Sequence, residues 1–227
     1  MDFLDRIFRL PLEQLPFFLV TILIAFTVHE FAHAYFANKF GDPTAKLLGR
    51  VTLNPVAHFD LLGVLLLVIA GFGWARPVPV NRSNFDKPRL MGTIVSVVGP
   101  LSNLLLAIIG AIIYGILFGS GVLGNIENER VVTALMTFLP MFSITNFFLF
   151  MFNLIPLPPL DGYRILEDVL PPSTSRKLQG VEHWSIFVFL LILVIPPLQA
   201  VTIQPLYLFA NQMYMDLAGL VIDLYRS

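Results

Sequence analysis

Long runs of apolar residues, separated by short polar stretches, dominate the hydrophobicity pattern of this chain. Residues 15–37 form one such run, in which Glu30 is the only formal charge before the polar loop that follows. Residues 90–118 and 131–156 form two more. A helix needs roughly 20 residues to cross a hydrocarbon core about 30 Å thick, and each run is long enough. The pattern therefore predicts three membrane-spanning helices.

Two further apolar stretches do not have the length or continuity of a simple span. Residues 61–74 are too short to cross the membrane as a helix, which favours a re-entrant segment that returns to its own side. The stretch 184–225 is interrupted by Pro196-Pro197 and predicts two C-terminal helices. Gly99-Pro100 predicts a distortion within the second span. Together these features predict an all-α polytopic membrane protein.

Composition supports a membrane protein and removes several classes of function. The 227 residues are 56% hydrophobic and 13% charged, whereas about 25% of the residues of a soluble domain are charged. The net charge of -1 and the absence of any basic run longer than two residues give no support for a nucleic-acid partner, and we expect none. The chain has no cysteine, so any metal site must use histidine, carboxylate or backbone oxygen ligands.

The distribution of lysine and arginine predicts how the chain sits in the lipid bilayer. Residues 38–60 contain three lysines or arginines and residues 75–89 contain four, whereas the loop 119–130 has only Arg130. The positive-inside rule places the first two stretches in the cytosol. We therefore expect the N-terminus outside, the "LPPLDG" end of the third span inside and the C-terminus inside. Before the first span, a short amphipathic piece should lie on the membrane through Phe3, Leu4, Ile7 and Phe8.

The first apolar run contains the motif HExxH, formed by His29, Glu30 and His33. Ionisable side chains inside a membrane are costly and usually functional. Positions i and i+4 share one face of a helix, so both imidazoles can bind one metal ion, and a thiol-free site with histidines favours Zn²⁺. Glu30 lies about 100° further round the helix, where it can accept a proton from bound water. The alternative is a pair of histidines hydrogen-bonded within the bundle, with Glu30 paired to an arginine.

A catalytic zinc site typically has three protein ligands, so the motif needs one more. Apart from the motif, the chain has only His58 and His183, and His183 adjoins Trp184 at the edge of a span. Asp161 is the stronger candidate because it follows the third span directly, in "PLPPLDG". The prolines of this stretch predict an extended backbone, and Gly162 permits a sharp turn. The alternative role for Asp161 is to cap the helix that follows it.

Three motifs occur in a characteristic order: HEFAH in the first span, "GPLSN" at 99–103 and "NLIPLPPLDG" at 153–162. This combination resembles the site-2 protease family of intramembrane zinc metalloproteases, and most closely its short bacterial-type members without a PDZ domain. The resemblance covers about residues 16–170. It implies a single integral-membrane protease domain, 1–227, with a three-helix catalytic core over about 16–170 and C-terminal helices over about 184–225. The implied residue roles are zinc ligands His29, His33 and Asp161, and general base Glu30.

Other stretches resemble the family less specifically. "NPVAHFD" at 54–60 and "GWARPVPVN" at 73–81 resemble its loop and its membrane-associated hairpin, which would place His58 near the active-site mouth. Asn103 and Asn153 correspond to asparagines that face the catalytic cavity, where Asn153 could stabilise the oxyanion. The alternatives are a surface loop histidine at 58 and hydrogen bonds between helices for the two asparagines.

The predicted activity is hydrolysis of peptide bonds in or near the transmembrane segments of substrate proteins. His29 lies past the midpoint of the first span, which places the zinc nearer the cytosolic face of a bacterial plasma membrane. Two alternatives remain open at this point. One is a non-proteolytic zinc-binding membrane protein, such as a transporter or a scaffold. The other is a zinc amidase that acts on a lipid or a small molecule, because HExxH specifies water activation and not the acyl group.

Overall fold

The structure, a computed structural model, describes residues 11–70, 73–180 and 182–226, without the side chains of residues 68–70, 183 and 186. The predicted amphipathic piece at residues 3–8 lies outside these ranges. Within them, the α-helices are α1 Leu15–Lys39, α2 Thr44–Leu47, α3 Leu61–Ala70, α4 Pro88–Gly119, α5 Glu129–Asn153, α6 Asp161–Val169, α7 Pro172–Gln179, α8 Glu182–Val194 and α9 Pro196–Asp223. Short 3₁₀ helices cover Pro55–Ala57, Arg82–Asn84 and Val122–Asn125.

Helices α1, α4 and α5 are the three predicted spans. In the part of the chain that the structure describes, these three helices are each long and apolar enough to cross a membrane without a break, with 25, 32 and 25 residues. Pro100 lies inside α4, and the helix continues through it. The prediction of an all-α polytopic membrane protein is confirmed.

Helix α4 is the centre of the bundle and packs against α1, α5, α6 and α9. Small residues on α4 make this possible, because Ala107 and Ala111 are fully buried against the other helices. A Cβ atom on Gly115 would lie 2.6 Å from the Cβ atom of Val221 in α9, so only glycine allows this approach. Helix α4 therefore packs closely against both α1, which contains the HExxH motif, and α5, which precedes Asp161.

The apolar stretch after residue 60 folds back on itself, as predicted for a re-entrant segment. Helix α3 has only ten residues, and a Cβ atom on Gly63 would lie 2.2 Å from the carbonyl oxygen of Trp74. The returning chain therefore lies directly against α3. Residues 73–81 lack regular secondary structure and form no β-pairing with other described residues. This return segment is therefore an irregular stretch of chain and not the paired hairpin that the resemblance implies.

The two predicted C-terminal helices are present, but they do not make two crossings. Helices α8 and α9 meet at the proline break with a bend of 87°. Helix α8 has 13 residues, or about 20 Å of helix, which is too short for the hydrocarbon core. The pair supplies at most one further span. Because the third span returns the chain to the predicted cytosolic side, one further crossing would place the C-terminus outside, against the prediction, whereas no further crossing would leave it inside.

The loop at 81–84 contacts both α6 and the chain just after α1, and the predicted zinc ligands lie in these two helices. Asp42, just after α1, accepts hydrogen bonds from the Asn81 N–H and the Asn84 side chain, both at 2.7 Å. Burial alone would raise the pKa of Asp42, but hydrogen bonds from Thr44, Asn81 and Asn84 hold it below its usual value. Arg82 lies 2.9 Å from Asp168 and 3.2 Å from Glu167, both on α6. This loop therefore fixes the end of α1 relative to the C-terminal part of α6.

Asp168 should make the stability of the folded protein fall as the pH rises. Burial raises its pKa from 3.8 to about 6, with Arg82 acting in the opposite direction. The folded state therefore binds this proton more tightly than the unfolded state, and that contribution is lost between about pH 4 and pH 6. At about 1.4 kcal/mol per pKa unit, the loss is at most about 3 kcal/mol.

The measurement is the thermal unfolding midpoint in detergent at pH 4.5 and pH 7. Asp168→Asn should show a smaller decrease across this interval than the unsubstituted protein. Asp86→Asn, an equal change of charge at an exposed position, is the control and should keep the full decrease. An Asp168→Asn variant with the same pH dependence as the control would contradict the assignment.

Candidate metal centre

His29 and His33 lie on successive turns of α1 and face the interior of the bundle. Each is only 8% exposed, and their Nε2 atoms are 3.0 Å apart. This is the arrangement that the i, i+4 spacing predicts, because both side chains project from one face of a continuous helix. Two imidazole nitrogens therefore point to a single position between α1 and the neighbouring helices.

Asp161 reaches the same position because α5 ends at Asn153 and the chain then turns sharply. The prediction of a non-helical stretch is correct, but the prediction of an extended backbone is wrong. Residues 154–160 form successive tight turns, with hydrogen bonds from the Leu157 N–H to the Ile155 oxygen and from the Leu160 N–H to the Leu157 oxygen. The turns bring residue 162 against Leu154, where a Cβ atom would lie 2.2 Å from the Leu154 carbonyl oxygen. Gly162 is therefore required by a close approach of the backbone.

The Asp161 carboxylate faces the two imidazoles and does not cap α6. Its Oδ2 atom is 3.1 Å from His29 Nε2, and its Oδ1 atom is 3.3 Å from His33 Nε2. The three ligand atoms lie within 4.8 Å of one another. Helix α6 begins at Asp161 itself, and no side-chain hydrogen bond caps it. The structure thus brings together the three residues that the sequence predicts as metal ligands.

The hydrogen bonds on the far side of each imidazole indicate which nitrogen carries the proton. His33 Nδ1–H donates to the Val95 carbonyl oxygen at 2.6 Å, and His29 Nδ1–H donates to Asn103 Oδ1 at 2.7 Å. In the neutral imidazoles the Nε2 atoms are then unprotonated, and both direct lone pairs at a carboxylate. Asp161 Oδ2 has no hydrogen-bond partner despite its 3.1 Å separation from His29 Nε2. Three electron-pair donors so close together fit a bound cation, and two imidazoles with one carboxylate fit Zn²⁺.

In the second motif, "GPLSN", Gly99 has no side chain, and the imidazole rings occupy the space beside it. A Cβ atom on Gly99 would lie 2.3 Å from His33 Nε2 and 2.9 Å from His29 Cε1. No side chain is therefore compatible with the observed ring positions at residue 99. Residue 103, one turn further along α4, supplies the oxygen that accepts from His29.

Glu30 follows His29 on α1 but is not one of the three residues that the structure brings together. Its Oε2 atom accepts a hydrogen bond from the backbone N–H of Val78 at 2.9 Å. The return segment 73–81 therefore crosses next to this carboxylate. In contrast to the alternative drawn from the sequence, Glu30 forms no ion pair with an arginine among the described residues.

The sequence profile of peptidase family M50 matches residues 17–196, which is most of the chain. The chain belongs to this family. Two relatives are named "Putative zinc metalloprotease": YwhC of Bacillus subtilis and Rip2 of Mycobacterium tuberculosis. YwhC is 48% identical over 85% of this chain and 87% of its own length. Rip2 is 34% identical over 82% of this chain and 71% of its own length. No solved structure gives a significant match.

Two asparagines form a buried amide chain behind His29 in this member of the M50 family. Asn103 Nδ2 donates to the Ala25 carbonyl oxygen at 3.2 Å and to Asn146 Oδ1 at 3.0 Å. Asn146 Nδ2 in turn donates to the Phe142 carbonyl oxygen at 2.8 Å. Asn103 is 1% exposed and Asn146 is fully buried. Asn146 is not among the site residues predicted from the sequence, although an amide inside a span is itself a signal of a polar contact.

The M50 chain places Asn153 and His58 outside the ligand group. Asn153 Nδ2 donates to the Leu149 carbonyl oxygen of its own helix at 2.9 Å. His58 is 1% exposed, so the alternative of a surface loop histidine is wrong, and its Nε2 lies 2.8 Å from the Thr52 carbonyl oxygen. Asn54 caps the 3₁₀ helix at Pro55–Ala57 by accepting from the Val56 N–H. The side chain of His183 is not among those that the structure describes.

Proposed function

We propose that this chain is a zinc-dependent endopeptidase that hydrolyses peptide bonds in or near the transmembrane segments of other proteins. The observation that carries the proposal is the location of the ligand group between membrane-spanning helices. His29 and His33 lie within α1, and Asp161 follows the end of α5. A peptide bond can reach this group only by entering the membrane or its edge.

The residues present fit one zinc ion per chain. His29, His33 and Asp161 would hold it, which leaves the fourth position for water or substrate. Bound zinc lowers the pKa of a coordinated water to about 7 and polarises the scissile carbonyl group. Family membership and the names of the relatives support this choice of metal.

Glu30 is the proposed general base and later the general acid. Glu30 follows His29 on α1 but is not a member of the ligand group, so its carboxylate is available to accept a proton. The proton is then held on the Glu30 carboxyl group until the leaving amine takes it. The Val78 N–H, which donates to one carboxylate oxygen, orients the group and leaves the other oxygen for the reaction.

The depth of the ligands and the charge of the loops support an active site nearer the cytosolic face of a bacterial plasma membrane. His29 is about 21 Å along α1 from Leu15, at 1.5 Å per residue, which is past the middle of the hydrocarbon core. The loop that follows α1 includes Lys39, Lys46 and Arg50. Water would then reach the site from this side by a shorter path.

The substrate must expose its backbone before cleavage, so we propose substrates with helix-weakening residues near the cut, such as Gly, Pro or Asn. The return segment 73–81 is a candidate surface for the unwound chain. Arg76 and Val78 precede prolines and are therefore restricted to extended conformations, and their N–H groups donate to His58 and Glu30. Pro77 and Pro79 have no N–H, so the opposite edge offers only carbonyl oxygens. A substrate that pairs there would have to donate its own N–H groups.

The test compares three substrates in one assay with purified protein in proteoliposomes. The first is a single-span protein with Gly-Pro near the middle of its span. The second has leucines at those positions, and the third is a soluble peptide with the cleaved sequence. We expect cleavage of the first in preference to the other two, loss of cleavage with a chelator and recovery with zinc.

Each alternative to an intramembrane protease gives a different result in this assay. Equal cleavage of the soluble peptide would contradict intramembrane specificity. Zinc uptake by the vesicles without cleavage of any substrate would favour a transporter. Hydrolysis of a lipid or small amide in place of the single-span protein would favour an amidase.

A further inference from the structure

Asn146 is a buried polar residue for which the proposed reaction has no direct use. It lies about two turns before the end of α5, is fully buried, and makes hydrogen bonds through both polar atoms of its side-chain amide. Burial of an amide in a membrane span is costly unless its donors and acceptors are satisfied. Its contact with Asn103, which contacts His29, suggests a reason for its position.

The orientation of the Asn146 amide is determined by a backbone group. The Phe142 carbonyl oxygen can only accept a hydrogen bond, so the atom of Asn146 that faces it must be the NH₂ group. The carbonyl oxygen of the Asn146 side chain therefore faces Asn103. The nitrogen and oxygen of a side-chain amide have similar shapes, so this assignment is made from the hydrogen-bond partners alone.

The orientation of Asn103 follows from two acceptors in the same way. The Ala25 carbonyl oxygen and Asn146 Oδ1 both accept from Asn103 Nδ2. Asn103 Oδ1 must then face His29, where it can only accept, so the proton of His29 lies on Nδ1. The unprotonated Nε2 atom of His29 is thereby directed to Asp161 and His33.

We infer that Asn146 is a positioning residue of the metal site, which acts through Asn103 to keep His29 in the tautomer and orientation that bind zinc. It does not contact the ligand group itself. Outer hydrogen-bond partners of metal-binding histidines typically change metal affinity by about 10- to 100-fold when they are removed. Because Ala25 still orients Asn103 when Asn146 is absent, the expected effect is at the lower end of that range. The inference rests on the proposed zinc site.

The experiment measures the zinc dissociation constant of purified protein in detergent by competition with a chelator. Asn146→Leu removes the acceptor while keeping the same number of side-chain heavy atoms, and it should raise the dissociation constant about 10-fold. In an Asn103→Ala background the same substitution should have no further effect, because the residue through which it acts is absent. The visible spectrum of the cobalt-substituted protein should change in Asn146→Leu, since a reoriented imidazole changes the ligand field.

Ser143→Ala is the matched control, since Ser143 is fully buried on the same helix and its hydroxyl group has no hydrogen-bond partner among the described residues. It should leave the dissociation constant unchanged. If Asn146→Leu does not fold, Asn146→Ala removes the same acceptor without added bulk.

Two results would overturn the inference. One is a dissociation constant within about twofold of the unsubstituted protein for the Asn146 variant. The other is an effect of equal size in the presence and absence of Asn103. Failure of the unsubstituted protein to bind zinc would instead contradict the proposed function, so the two failures are distinguishable.

Discussion

Glu30→Gln should reduce the rate of peptide hydrolysis by at least about 100-fold while the zinc content of the protein stays unchanged. Glutamine has nearly the same shape as glutamate and can still accept the hydrogen bond from Val78, so the local structure should persist. It cannot accept a proton from water at neutral pH. Loss of a general base typically reduces the rate by about 10²- to 10⁴-fold, and we expect a decrease in this range.

The measurement pairs elemental analysis of zinc with cleavage of a single-span protein in proteoliposomes. Glu127→Gln, an identical chemical change at an exposed position of the 119–130 loop, should retain both zinc and activity. Unimpaired cleavage by Glu30→Gln would remove Glu30 from its proposed role. Loss of zinc together with activity would place Glu30 among the metal ligands instead.

Asp161→Asn should release zinc and thereby abolish activity. The substitution replaces the single carboxylate of the ligand group by a neutral amide of nearly equal size, while both imidazoles remain. Because even outer-shell partners change metal affinity by about 10- to 100-fold, removal of a direct ligand should raise the dissociation constant by more than about 100-fold. The expected result is a purified protein with little zinc and no cleavage.

Activity of Asp161→Asn at high zinc concentration separates the loss of a ligand from a loss of structure. A ligand variant should recover part of its cleavage as zinc is added, whereas an unfolded protein should not. Asp223→Asn, at an exposed position of α9, is the control for charge and should behave as the unsubstituted protein. Normal zinc content and normal cleavage in Asp161→Asn would contradict its assignment as a ligand.

Features that depend on neighbouring residues could be predicted from the sequence. The two histidines of HExxH share a face because the helix repeat places i and i+4 together, and the structure shows them 3.0 Å apart. The third span ends before the prolines because they cannot continue a helix. The detailed path after Asn153 was predicted incorrectly, since proline excludes a helix but permits both extended chain and tight turns.

The asparagines show what a local pattern cannot decide. Asn146 and Asn153 are seven residues apart and therefore lie on a similar face of α5. Only the position at which α4 crosses α5 determines which amide meets Asn103, and it is Asn146. His58 is a similar case, because its loop sequence is compatible with exposure, yet the surrounding chain buries it.

By itself, the sequence determined the class of protein, the spans and the face of α1 that carries two imidazoles, because these follow from apolar length and helix periodicity. Only the tertiary structure decided that Asp161 faces those imidazoles instead of capping α6, and that two amides orient His29. The physical reason is that capping and metal binding use the same carboxylate and are equally compatible with the local chain. The choice between them depends on how closely α1, α4 and the end of α5 approach one another. Residues that are distant in the sequence control that approach.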